Sequence, residues 1–320
     1  MQDCNQREID YLRVSLTSNC NLRCQYCMPA EQIKNNEQTL SNEELIYLIK
    51  LICQTGIKKI RLTGGEPLLY PQLEYLLKIC KEIKSVKKVV LTTNGILLSE
   101  QIEKLQKAGL DGINLSLDCI DKDLYKKITR GGDIEKVLLG IKKAKKLAIP
   151  LKINSVIMKN INEQEILPLI EFANYHKVDL RFIELMPINV AKIFEPVTED
   201  AIKILIKKQY GKMKMMDIHE GPAHYYKVER LDINIGFISA LSHKFCGACN
   251  RIRLTSTGLL KPCLHYNSGV DLKNLLKNKT SKENILKIIQ ENIYYKPKNH
   301  HLEDKNFSQK EDKSMSLIGG

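Results

Sequence analysis

Three cysteines stand within eight positions in CNLRCQYC, at Cys20, Cys24 and Cys27. No histidine lies within 140 residues of them, so a closed zinc site, which needs four nitrogen or sulfur ligands, lacks its fourth member nearby. The C-x3-C-x2-C spacing instead offers thiolates to three irons of a cubane iron–sulfur cluster and leaves the fourth iron without a protein ligand. One βα unit further on, TGGEP (63–67) places two glycines where backbone can approach a ligand closely. Glu66 within it could accept hydrogen bonds from an ammonium group. A second group, Cys246, Cys249 and Cys263 in CGACNRIRLTSTGLLKPC, again supplies three thiols. His243 and His265 flank it, so spacing alone leaves two readings open: a Cys₃His zinc site, or a second cluster with an open iron.

Cations join the cysteines. Residues two apart on a strand share a face, so Lys59, Arg61 and Thr63 point together. So do Arg13 and Ser15, Lys152 and Asn154, and Arg251 and Arg253. One such pair could be an exposed edge; four sets suit a barrel interior that neutralises a polyphosphate, with arginine gripping phosphate bidentately. A nucleoside triphosphate is the substrate class this implies.

The elements that must position these residues alternate. Short β-branched runs at 11–17, 58–63, 87–93, 112–117, 151–157 and 179–184 read as strands. Amphipathic segments at 41–53, 71–83, 99–108, 133–147 and 162–176 lie between them, the first opened by a capping box in SNEEL. Strands alternating with helices argue for βα units and a parallel sheet. The polar motifs follow strand C-termini: the cysteine loop, TGGEP, TTNG, SLD and ELM. That rim carries the active site in α/β barrels, whereas an open doubly wound sheet gathers its ligands at one switch point. The predicted fold is therefore α/β, an incomplete (β/α)6 TIM-type barrel over 1–220. A smaller C-terminal α+β module with the second cysteine group is expected over 221–295. The polar stretch 296–320 is expected to be a flexible tail until its apolar end, MSLIGG.

Composition narrows the setting. The chain has 320 residues and a net charge of +13. Its excess is mostly lysine along helices, with nine arginines and no aromatic interleaving for base stacking, so no nucleic-acid stripe is read. Four of those arginines, Arg13, Arg61, Arg251 and Arg253, lie beside the motifs. No long apolar run suggests a membrane span, and MQDCNQREID lacks the basic and apolar regions of a signal peptide. A cytoplasmic protein is expected. Ten cysteines in such a chain point to metal or redox chemistry rather than disulfides.

The cysteine loop followed by the GGEP turn resembles the radical S-adenosylmethionine (SAM) superfamily. In that family the open iron binds SAM, and an electron from the reduced cluster splits the sulfonium to methionine and a 5′-deoxyadenosyl radical. The second string, C-x2-C-N-R-x-R-L-T with thirteen residues between the second cysteine and the third, is similar to that of the GTP 3′,8-cyclase family of molybdenum cofactor biosynthesis. So is the terminal IGG. The resemblance runs along nearly the whole chain and implies two [4Fe-4S] clusters, held by Cys20, Cys24 and Cys27 and by Cys246, Cys249 and Cys263. It implies SAM contacts from Tyr26, Gly65, Ser116 and Met186. It implies GTP contacts from Arg13, Lys59, Arg61, Thr92, Lys152, Arg251 and Arg253, with catalytic roles for Arg13, Gly319 and Gly320. A homodimer, a reductant protein and a downstream cyclic pyranopterin monophosphate synthase are the partners it implies, with no nucleic acid and no membrane.

Three departures from the family pattern bear on Ser18, Asn19, Thr257 and Lys313. TSNCN stands where T-D-R-C-N is usual, Thr257 where T-x-D-G is common, and Lys313 where arginine is usual. Two other readings are a peptide-modifying radical enzyme with an auxiliary cluster, whose extension would carry more cysteines, and a non-catalytic zinc module.

Overall fold

The computed structural model describes residues 1–31, 38–218, 221–302, 304 and 306–319. Six parallel strands form its centre: β1 (Tyr11–Ser15), β2 (Lys59–Thr63), β3 (Lys88–Thr93), β4 (Gly112–Ser116), β5 (Leu151–Ile157) and β6 (Asp179–Glu184). Helices α1 (Asn42–Cys53), α2 (Leu73–Glu82), α3 (Leu98–Lys107), α4 (Lys122–Thr129), α5 (Ile134–Lys146) and α6 (Ile166–Tyr175) connect them. Ser41 opens α1 with the expected capping box, its side chain and that of Glu44 each accepting the other's backbone N–H. Helix α4 was not legible: it has eight residues, and only Tyr125, Ile128 and Thr129 are buried.

Alternation along these strands separates two environments. Leu12, Val14, Ile60, Leu62, Val89, Leu91 and Ile153 are essentially fully buried and pack in the core shared with the helices. The intervening positions, Arg13, Arg61, Thr92, Asn114, Lys152 and Arg181, face a central cavity. Burying that apolar side drives the sheet against its helices, which leaves the other side free to be polar.

The sheet continues beyond the six strands at both edges. Helix α7 (Glu199–Tyr210) leads to β7 (Met213–Met216), β8 (His224–Val228) and β9 (Asn234–Ile238). Strand β9 pairs parallel with β6, and β8 and β7 follow antiparallel. At the other edge β10 (Arg251–Leu254) pairs parallel with β1, followed by β11 (Leu259–Lys261) and β12 (Val270–Asp271). The twelve strands run β12-β11-β10-β1-β2-β3-β4-β5-β6-β9-β8-β7, so the sheet is not closed. The region after 221 thus extends the edges of the barrel sheet, through HYYKV and NIGFI at one side and RIRL at the other.

Two further helices, α8 (Leu272–Lys277) and α9 (Lys282–Tyr294), precede the terminal segment. That segment makes more of the structure than its polar composition implied. Lys296, His300, Glu311, Ser314, Ser316 and Ile318 are all buried, and it ends in a short helix, α10 (Met315–Ile318). Ile318 packs with Ile188, Leu264 and Leu302, with Met315 beside them.

Candidate active site

One cavity of about 360 Å³ collects nearly every residue that the sequence singled out. All six clustered cysteines line it, as do Tyr26, Gly65, Glu66, Ser116 and Met186. Arg13, Lys59, Arg61, Thr92, Lys152, Arg251 and Arg253 line it too. Gly319 sits at its edge, where its carbonyl accepts from Arg253 Nη1; Gly320 lies outside the described residues.

The first cysteine loop is held by backbone. Gly65 N donates to Thr17 O at 2.7 Å and Glu66 N to Asn19 O at 2.8 Å, which staples the GGEP turn to the residues before Cys20. A Cβ on Gly65 would stand 2.2 Å from Asn19 O, and one on Gly64 2.6 Å from Thr17 O. The glycines therefore serve the approach of two loops to each other. Gly65→Ala is expected to destabilise the fold by about 1–3 kcal/mol, since backbone cannot rotate away as a side chain would. An anaerobic urea titration would measure it, and an unchanged midpoint would show that the loops part at little cost.

Glu66 is fully buried, and burial pushes its carboxyl up to about 7. Its oxygens accept from Thr93 Oγ1 at 2.7 Å, Asn94 N at 2.8 Å and Leu68 N at 3.0 Å. The carboxyl is thus engaged by the end of β3 and the turn at Pro67. Asn94, from TTNG, reaches Cys20 Sγ at 3.7 Å and Asn21 Oδ1 at 2.8 Å. Tyr26 OH donates to Asp118 Oδ2 at 2.7 Å, and Asp118 Oδ1 accepts from Val156 N at 2.8 Å. Burial raises Asp118 to about 6. Burial also raises all three thiols of this loop, Cys27 to about 12, and the Ser316 backbone N–H donates to Cys27.

The second group differs at one thiol: burial raises Cys246 as it does the first loop, but Cys249 goes the other way. Burial pushes the Cys249 thiol up, but Arg251 and Lys296 outweigh it and bring it down to about 6. Arg251 Nη2 lies 3.8 Å from Cys249 Sγ. Lys296 Nζ donates to Arg251 O at 2.9 Å and to Pro262 O. Arg7, buried and paired with Asp3, donates to Cys246 O at 2.9 Å and to three carbonyls between 296 and 298. Of the two flanking histidines, His243 is exposed and turned to Glu199 at 3.6 Å, while His265 lines the cavity. Every cysteine is free of disulfide bonds. Among the described residues no three His, Cys, Asp or Glu side chains are gathered as a single metal ion requires.

Between the triads the sheet register sets cations abreast. Arg253, Arg13 and Arg61 are consecutive partners across β10, β1 and β2, with Lys261 of β11 opposite Arg253. Like charges directly opposite are destabilising, and the pKa values register it: burial and neighbouring arginines lower Arg13 well below its usual range and Arg253 to about 10. Lys261 is offset by a buried ion pair with Glu311 of the terminal segment. The second row, Thr92, Asn114 and Lys152, adds Arg181, whose Nη2 donates to Asn114 Oδ1. Lys152 lies 3.2 Å from Tyr225 OH and 3.7 Å from Asp179.

Arg181, Tyr11 and Asp118 are site residues that sequence reasoning did not assign, and His265, read there only as a possible zinc ligand, joins them. Arg181 was legible as a cation inside the strand DLRFIE, and Asp118 closed a noted rim motif. Arg181 Nε, Asn154 Oδ1 and His265 Nδ1 are buried without hydrogen-bond partners among the described residues, and all three residues line the cavity. Buried polar atoms are normally satisfied, so the cavity fits a polar ligand.

Residues 14–173 match the radical SAM superfamily and 178–302 the Molybdenum Cofactor Synthesis C family. A GTP 3′,8-cyclase of Clostridium perfringens (strain SM101 / Type A) is 43% identical over 328 residues, covering 100% of both chains. One of Syntrophomonas wolfei is 40% identical, again over 100% of both. Among solved structures, Streptococcus suis SuiB bound to precursor peptide SuiA has a TM-score of 0.65 at 16% identity, covering 91% of this chain and 65% of that longer one. SuiB bound to S-adenosylmethionine has a TM-score of 0.61, covering 92% and 76%. That likeness is one of fold. Identity of 40–43% over the full length is decisive: the chain belongs to the GTP 3′,8-cyclase family of radical SAM enzymes.

Proposed function

We infer that this chain is a GTP 3′,8-cyclase, converting GTP to (8S)-3′,8-cyclo-7,8-dihydroguanosine 5′-triphosphate in the first step of molybdenum cofactor biosynthesis. The observation that carries it is the single cavity lined by both cysteine triads with a wall of cations between them. Cys20, Cys24 and Cys27 would hold one [4Fe-4S] cluster, with SAM against Tyr26, Gly65, Ser116 and Met186. Cys246, Cys249 and Cys263 would hold a second. When bound, the first cluster and SAM supply the organic radical that can remove hydrogen from a ribose carbon. The protein's own part is to bind, orient and enclose. Arg13, Lys59, Arg61, Lys152, Arg251 and Arg253, joined by Arg181, neutralise the triphosphate. Thr92 Oγ1, accepting from Arg61 Nη1 at 2.8 Å, fixes that guanidinium. The triphosphate offsets the repulsion within the row, so substrate binding repays a cost built into the fold. Buried walls keep water from a reactive intermediate.

The family reading extends to a homodimer in the cytoplasm, a reductant protein, and a cyclic pyranopterin monophosphate synthase that consumes the product. Among the described residues no helix is long and apolar enough to cross a membrane.

Anaerobic reconstitution followed by incubation with SAM, reductant and GTP tests the activity; the cyclised product is expected, and SAM cleavage without it would overturn the assignment. Arg61→Ala or Lys152→Ala is expected to weaken GTP binding by about 1.5–3 kcal/mol, the scale of a hydrogen bond to a charged group, while guanosine binding hardly changes. Equal losses for guanosine and GTP would place these residues in folding or base contacts instead.

A further inference from the structure

Tyr11 stands where the like-charged rows meet. It is buried, lines the cavity and pairs in register with Lys59 on one side and Arg251 on the other. Its hydroxyl oxygen accepts from Arg61 Nε. Lys59 Nζ lies 4.9 Å from the centre of its ring and the Arg61 guanidinium 5.7 Å, both in cation–π range. With Thr92 on Nη1, the Arg61 fork is held from two sides.

Building on the GTP assignment, we propose that Tyr11 is the resident counter-group of the triphosphate site: it holds Arg61 and Lys59 in place before substrate arrives and takes up a proton when the phosphates replace it. The charged groups facing it are Arg13 on its own strand, Lys59 and Arg61 on β2, Arg251 and Arg253 on β10, and Arg181 across the interior. All six are cations. Burial favours the neutral phenol, but the nearest of these cations outweigh it and bring the hydroxyl down to about 7. Ligand-free enzyme at pH 8 therefore carries mostly phenolate. A polyanion on the same cations withdraws that stabilisation, so the phenolate oxygen binds one proton from solvent. Affinity for GTP then falls as pH rises above about 7, by up to about tenfold per unit. Tyr11 acts through Arg61 and Lys59 and is a positioning residue.

The test is anaerobic titration calorimetry of the cluster-loaded enzyme with GTP, SAM being omitted, at pH 8 in Tris and in HEPES. The triphosphate is almost fully ionised there, and any exchange at guanine N1–H is common to wild type and Tyr11→Phe, so the difference between the two in buffer-dependent heat counts the protons taken up at Tyr11. Wild type is expected to take up about one proton per GTP, and Tyr11→Phe about none. At pH 7 the variant should bind GTP several-fold more weakly, having lost its hold on Arg61. By pH 9 that gap should close or reverse, because phenylalanine has no charge to give up. A ratio of affinities constant with pH, or undiminished uptake in Tyr11→Phe, would overturn the proposal. If the variant loads its clusters poorly, wild type decides alone: uptake near zero, or no loss of tyrosinate absorbance on binding, counts against it. Wild type that binds no GTP would sink both this proposal and the substrate assignment, whereas tight GTP binding without proton uptake sinks only this one.

Discussion

Cys24→Ala is expected to abolish SAM cleavage and with it all cyclised product, whereas Cys263→Ala should abolish cyclisation yet leave measurable SAM cleavage. The asymmetry follows from the two triads' surroundings. Each group supplies three thiols, so each would hold three irons of a cubane and could not lose one ligand without loosening the whole. Cys20, Cys24 and Cys27 sit where burial raises every thiol, and no cation among the causes is strong enough to reverse it. Burial therefore disfavours their thiolate forms unless a bound cationic group stabilises them. The second group has Arg251 and Lys296 to stabilise negative charge, and its loss leaves the first loop's contacts with Gly65, Asn94 and Thr17 untouched. Reconstituted wild type should hold about eight irons, and each variant about four. Stoichiometric zinc and no iron at Cys246, Cys249 and Cys263 would overturn the second-cluster assignment and restore the zinc reading through His265.

Much of this arrangement was legible because period-2 alternation and rim position are local properties. The strands carrying Arg13, Arg61, Thr92 and Lys152 could be bounded to within a residue or two, since each alternates between a helix-facing apolar side chain and a cavity-facing polar one. The two glycines of TGGEP were visible as a close approach, but what approaches them is the loop at 17–19. A sequence cannot say which backbone fills the space a missing Cβ leaves. The apposition of β10 with β1 was hidden for a similar reason. Arg251 and Arg253 are about 240 positions from Arg13, and only pairing shows that they extend one row of charge. Glu311 was hidden likewise: within a polar tail it reads as a solvated carboxylate, yet it is 5% exposed and neutralises the end of that row at Lys261. Composition described the tail by its average. A few buried residues, spaced along it, dock it.

That docking makes the end of the chain the other place where a small change should have a large effect. Removing Gly319 and Gly320 is expected to lower cyclised product at least tenfold, about 1.4 kcal/mol of barrier, while leaving both iron contents and uncoupled SAM cleavage intact. The anchors of the segment lie upstream of the cut: the Lys261–Glu311 pair, the Ile318 contacts and the Ser316 N–H on Cys27. The truncated chain should therefore remain seated. What it loses is local. Gly319 has φ +75, a conformation that suits glycine, and a Cβ there would come within 2.9 Å of Ser15 Cβ. Only a residue without a side chain lets the backbone lie against β1 and offer its carbonyl to Arg253. Arg253 is the register partner of Arg13, so the end of the chain reaches the cation row from one side while Ser316 touches the first cysteine loop from the other. Deleting it returns Arg253 to the cavity without its partner and changes how the nucleotide is gripped beside the radical source. Gly319→Ala should show much of the same loss, because the collision with Ser15 displaces the carbonyl without shortening the chain. Full-rate cyclisation by the truncated enzyme would mean that the tail contributes packing and nothing to the reaction.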